Sequence, residues 1–192
     1  MTLPLTHWTN PRATIASVFA DNDIEYATHG ALEALKLLRL TDLSIKDMAK
    51  MTILDYGCGT GRMSRVYTGL FKHVYAYDPV IECIAEAKRE CAGIKFNNLT
   101  LTNDLKEIPK VDFAVSLNVI EHLTDIDANI MITNLKKLVK GDTAILFSLS
   151  KNTRVMTPYL TDSQLEEQAI FQKCNPSSKI YSALVDFKTP KR

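Results

Sequence analysis

Residues 52–62 read TILDYGCGTGR. One acid, Asp55, stands ahead of three glycines at alternate positions, Gly57, Gly59 and Gly61. Glycine has no Cβ and takes positive φ readily, so such a loop can turn tightly and let a ligand touch the main chain. Where the loop opens a helix, the free N–H groups favour a polar or anionic group. A second acid, Asp78, closes the apolar stretch VYAYDP, about 20 residues past the first glycine. In a doubly wound sheet an acid at that place can accept hydrogen bonds from ribose hydroxyls. It can also cap a helix that has Pro79 at its first position, and both roles are open.

A third group follows at Asn118, Val119, Ile120, Glu121 and His122. His122 titrates near neutrality and is the best candidate for a general base, with Glu121 beside it. Asn118 and Glu121 also match a capping box, and His122 suits a local hydrogen bond at a helix start. One Glu-His pair is too little for a metal site, and none is expected. A nicotinamide dinucleotide normally meets G-x-G-x-x-G, whereas here Arg62 takes the place of the third glycine. A pyrophosphate is the poorer fit.

The surrounding elements must hold these groups at one edge. After a polar arm, a helical pattern runs through residues 15–40, with Asn22 or Asp23 as cap and Tyr26, Leu32, Leu35 and Leu38 along it. A short helical piece lies near 43–48. Apolar strands are predicted at 52–56, 74–77, 94–102, 111–117 and 143–149, and helices at 60–71, 80–91 and 123–139, the last stopping at Gly141. Strand and helix alternate, as in a parallel sheet with helices on both faces, whose ligands bind at the strand C-termini. In the tail, a helix at 164–169 and an antiparallel hairpin of 170–174 with 180–187 are expected.

At 192 residues the chain is most simply one domain, and 46% hydrophobic with 23% charged residues is ordinary for a soluble protein. A net charge of +1 argues against a broad nucleic-acid footprint. Cys58, Cys83, Cys91 and Cys174 form no C-x-x-C pair and are expected to be reduced thiols. No leader-like start and no bilayer-length apolar run is seen, so a cytoplasmic protein is expected.

ILDYGCGTG, then VYAYDP, then FAVSLNVIEHL together resemble the class I S-adenosylmethionine-dependent methyltransferases, of the small-molecule and related branch. The likeness covers residues 51–150 well and the flanks loosely. It implies an α/β fold: a three-layer, doubly wound Rossmann-like sheet, mostly parallel with a C-terminal antiparallel strand. Residues 1–50 would be a helical arm or cap and 51–192 the methyltransferase domain. Carried over residue by residue, the resemblance implies that Asp55, Gly57, Cys58 and Gly59, with Gly61 closing the loop, surround the methionine moiety of S-adenosyl-L-methionine. Asp78 would hold the ribose, and Pro79 and Val80 would lie near the adenine. Asp104, in TNDL, would meet the adenine amino group, with Leu105 on the ring. Asn118 would face the methionine end, and Tyr26 and His29 are candidates to cover it.

The activity so implied moves a methyl group to an O, N or C nucleophile of a small-molecule acceptor. The alternatives are an inactive cofactor-binding partner subunit and an RNA or protein methyltransferase. Arg154 and Tyr159 are candidates for a substrate wall. The sequence carries no N-P-P-Y or D-P-P-Y and no Pro-Cys near the fourth strand, so DNA amino-group and cytosine C5 chemistry are not indicated.

Overall fold

A computed structural model describes residues 23–38, 41, 43–92, 96–117, 119, 123–140, 145–150 and 181–185. Six strands form one sheet: β1 (Thr52–Tyr56), β2 (His73–Tyr77), β3 (Leu99–Thr102), β4 (Phe113–Leu117), β5 (Ile145–Ser150) and β6 (Tyr181–Val185). Their order is β3-β2-β1-β4-β5-β6, and every neighbouring pair is parallel. The chain moves outward from β1 through β2 to β3, then returns to the other side of β1 as β4. The switch point lies between β1 and β4, where open α/β sheets bind ligands at their C-terminal edge.

Alternation along the strands sorts side chains into two cores. Ile53, Phe113, Val115 and Leu117 join Ala34, Leu38, Met48, Met63, Tyr67 and Phe71 on one face. Leu54, Tyr56 and Ala114 join Tyr77, Met131, Leu135 and Val139 on the other. The first face is covered by α1 (Asp23–Leu38), α2 (Ile45–Met48) and α3 (Ser64–Tyr67), and the second by α5 (Asp125–Leu138). The helix α4 (Ile81–Glu90) buries Cys83, Ile84 and Ala87. The five β4 residues are all buried, which is why that run reads as continuously apolar.

Several boundaries differ from the sequence expectation. The predicted helix at 60–71 shrinks to α3, because positive φ at Gly59 and Gly61 keeps the chain in turns up to Met63. The fourth strand starts at Phe113; Val111 makes only an isolated bridge to Val139. The helix α5 begins at Asp125 with Thr124 as its cap, the Thr124 hydroxyl accepting from Asp127 N at 3.0 Å.

The largest difference is direction. The strand expected to be antiparallel, β6, runs parallel to β5, with Leu146 opposite Tyr181 and Ser150 opposite Val185. A parallel neighbour needs a crossover, and the connection over 151–180 is long enough for one. Period-two alternation fixes which face a residue takes, not which way the strand runs. The hairpin partner expected at 170–174 and the helix at 164–169 lie outside the described residues.

Candidate functional site

The glycine loop leaves the C-terminal end of β1 and is held by the end of β2. Gly57 N and Cys58 N both donate to the Tyr77 carbonyl, at 2.7 and 2.9 Å. Gly57, Gly59 and Gly61 have φ of 79°, 54° and 72°. A left-handed backbone costs an ordinary residue about 1–2 kcal/mol, so this path selects glycine. At Gly57 space matters as well: a Cβ there would collide with the Val119 side chain. This close approach brings the loop after β1 against the segment after β4, so two of the three sequence motifs meet across the switch point.

Two carboxylates flank the loop. Asp55 is buried, and Ser64 Oγ donates to its Oδ2 at 2.6 Å. Burial pushes its carboxyl up to about 6; the Ser64 bond opposes this, the Asp78 charge adds to it, and Arg62 opposes it. Asp78 is also buried. Its Oδ2 accepts from Gly59 N and its Oδ1 from Val80 N, both at 2.9 Å. Burial raises its carboxyl above the ordinary range, against the pull of those two N–H groups. Contrary to the sequence expectation, Asp78 does not take the N-cap of the next helix. The residue at the N-cap of α4 is Val80, with no side-chain cap bond, because Asp78 turns one oxygen to Val80 N and the other to the loop.

At the end of β3, Asp104 is exposed and caps the 3-10 turn Leu105–Glu107, accepting from Lys106 N at 2.9 Å. Leu105 is half-buried beside the second core. Pro79 is exposed and Val80 buried. Asp78 and Asp104 follow the ends of the neighbouring strands β2 and β3, where Tyr77 lies opposite Thr102. Burial, with Asp55 and Asp78 adding, drives the Cys58 thiol well above its ordinary range, so it is a poor nucleophile.

The helix α1 reaches the same loop. Tyr26 is buried, and its hydroxyl shares a hydrogen bond with Thr60 Oγ1. Among the described residues no cluster of His, Cys, Asp or Glu could hold a metal, and no helix is long and apolar enough to cross a membrane.

A methyltransferase domain family model matches residues 26–182. The chain belongs to that family. A malonyl-[acyl-carrier protein] O-methyltransferase of Hamiltonella defensa subsp. Acyrthosiphon pisum (strain 5AT) is 26% identical over 144 residues, covering 71% of this chain and 52% of that protein. A ubiquinone biosynthesis O-methyltransferase of Bradyrhizobium sp. (strain ORS 278) is 25% identical over 125 residues, covering 63% and 49%. The chain thus spans about half the length of the curated relatives it matches. Among solved structures, the DhpI-SAM-HEP complex superposes with a TM-score of 0.54 at 22% identity, over 86% of this chain and 69% of that one. Magnesium protoporphyrin IX methyltransferase from Synechocystis PCC 6803 with bound SAM gives 0.52 at 18% identity, over 71% and 70%. At such identities these likenesses speak for the fold.

Within this methyltransferase domain, Asp55, Gly57, Cys58, Gly59, Gly61, Asp78, Val80 and, through Thr60, Tyr26 converge on one loop. Asn118, Glu121 and His122 lie outside the described residues, as do Arg154, Tyr159 and the side chain of His29. Reading the sequence missed Ser64, Thr60, Glu33 and Gly30. Gly30, in mid-helix, was the one available signal, since glycine there needs a packing reason.

Proposed function

We propose that this chain is an S-adenosylmethionine-dependent methyltransferase acting on a small-molecule acceptor. Its methyl acceptor atom is O, N or C, with oxygen favoured by the names of the curated relatives. The observation that carries the reading is the glycine loop at the switch point, flanked by two buried carboxylates, Asp55 and Asp78. Charge is the physical match. The cofactor carries an ammonium and a sulfonium, and Arg62, the loop's own cation, is paired with Glu33. Two buried acids favour a cationic ligand and oppose a pyrophosphate.

Asp55 and the loop main chain would hold the methionine portion, Asp78 the ribose, and Pro79, Val80, Asp104 and Leu105 the adenine. Asn118 would sit at the methionine end and Tyr26 behind the loop. When bound, the cofactor supplies an electrophilic methyl carbon. The chain's task is then to orient the acceptor against it, and positioning alone can provide much of the rate. His122, assisted by Glu121, is the proposed base where the acceptor carries a proton that must leave. Residues 1–50 act as a helical cap on a catalytic unit of 51–192.

Calorimetric titration with S-adenosylmethionine, S-adenosylhomocysteine and NAD tests the cofactor. Micromolar binding of the first two, with none of NAD, is expected. Binding of NAD alone, or of none of the three, would overturn the reading.

A further inference from the structure

Arg62 is where the chain departs from a dinucleotide fingerprint, and its side chain turns to α1. Its guanidinium pairs with Glu33 Oε2 at 2.5 Å, and the two side chains are only 13% and 6% exposed. The same guanidinium lies over the Tyr26 ring, 5.5 Å from the centroid. The stem of Arg62 crosses α1 at Gly30, where a Cβ would collide with Arg62 Cγ. Tyr26 in turn bonds Thr60. Three successive turns of α1, at Tyr26, Gly30 and Glu33, therefore grip residues 60–62. On its other side the loop meets α4: Gly61 faces Ala87, with room for only a tight contact, and Arg65 pairs with Glu90 at 3.5 Å.

A buried ion pair is not needed for stability as such; apolar residues of similar volume often serve as well. What such a pair does supply is a directional constraint. Here the constraint acts on the residue next to Gly61, in a loop whose main chain follows an uncommon left-handed path. Ordinary core packing of α1 is provided elsewhere, by Ala34 and Leu38.

We propose that Arg62 is a positioning residue: through Glu33 and Tyr26 it latches α1 onto the glycine loop and fixes the loop main chain in its ligand-ready shape. The cofactor part of this inference rests on the function proposed above; the latch itself does not.

Two readouts separate them. The first needs no ligand: amide hydrogen exchange over 57–62 in wild type, Glu33→Gln, Arg62→Lys and the neutral pair Glu33→Gln/Arg62→Met. The second is titration of each with S-adenosylhomocysteine. Leu38→Ala, which loosens α1 away from the latch, is the control for simple destabilisation. In Glu33→Gln and the neutral pair, the loop amides should exchange about tenfold faster and affinity should fall about tenfold. Arg62→Lys, which keeps the charge but not the planar fork, should lie between. Leu38→Ala should lower the melting midpoint without a selective effect on 57–62. Unchanged loop exchange in Glu33→Gln, or an equal acceleration in Leu38→Ala, would overturn the latch. Faster exchange with unchanged affinity would remove its role in ligand binding. If wild type binds no S-adenosylhomocysteine, the proposed function and the cofactor role fall together, and exchange alone decides the latch.

Discussion

Carboxylates meet the two ends of β1 in opposite conditions. At its start, Asp112 accepts from Thr52 N and Thr52 Oγ1, each at 2.8 Å, and from Lys140 Nζ at 2.7 Å. Partial burial acts to raise its carboxyl, but these bonds outweigh it and hold it below the usual range. At the far end, Asp55 and Asp78 are buried, and burial raises both carboxyls above the ordinary range. The first end is built to hold the sheet together. The second keeps charge where it costs the ligand-free fold, and this is how functional sites commonly differ from their scaffolds.

The signs of the two contributions differ. Asp55 has a folded value of about 6, above its value in an unfolded chain. Between about pH 4 and pH 6 the unfolded state therefore binds fewer protons, and stability from this group falls as pH rises. Asp112 is depressed, so its contribution is present above the ordinary carboxylate range and is lost as pH falls below it. A bound cation would reverse the Asp55 term by favouring its ionised form, so ligand affinity should climb as pH rises through about 6.

Substitutions can break the comparison, the largest expected effect first. Asp55→Asn keeps an acceptor for Ser64 and removes a buried charge. It should stabilise the ligand-free protein at pH 7.5 by up to about 3 kcal/mol, read by urea unfolding. A destabilised variant would show that the carboxylate supports the fold. Asp78→Ala strands Gly59 N and Val80 N and should cost about 1–3 kcal/mol of cofactor affinity along with some stability. Unchanged affinity in a folded variant would leave Asp78 only as a clamp on the loop. Asp112→Ala should cost about 1–2 kcal/mol of stability and leave cofactor affinity untouched; a weakened titration would erase the division between the two ends. The smallest effect is expected at Tyr67→Phe. Tyr67 Oη is buried and, among the described residues, has no hydrogen-bond partner, so its loss should shift stability by no more than about 0.5 kcal/mol in either direction. A loss well beyond that would mean that the hydroxyl is engaged after all.

The sheet was legible because its strands are short apolar runs separated by helical periods, and β4 is buried along its whole length. The glycine loop and its two acids were legible because the chemistry is local: glycines, an acid before them, an acid at the next strand end. Contacts between residues far apart left no such trace. Ser64 reaching Asp55, and Arg62 reaching Glu33, depend on how α1 and α3 dock. The buried face of α1 differs from the periodic expectation for the same reason. Leu32 and Leu35, read as part of its apolar side, are half-exposed, while Tyr26, Gly30, Glu33, Ala34 and Leu38 are buried. A charged residue turned inward to a partner is invisible to a hydrophobic period.

The most direct test pairs ligand and fold in one residue: thermal unfolding at pH 7.5 of wild type and Asp55→Asn, each with and without saturating S-adenosylhomocysteine. The variant should melt higher than wild type without ligand, and ligand should raise the wild-type midpoint far more than the variant's. Equal ligand-induced shifts in both proteins, or a variant that melts lower, would contradict this expectation.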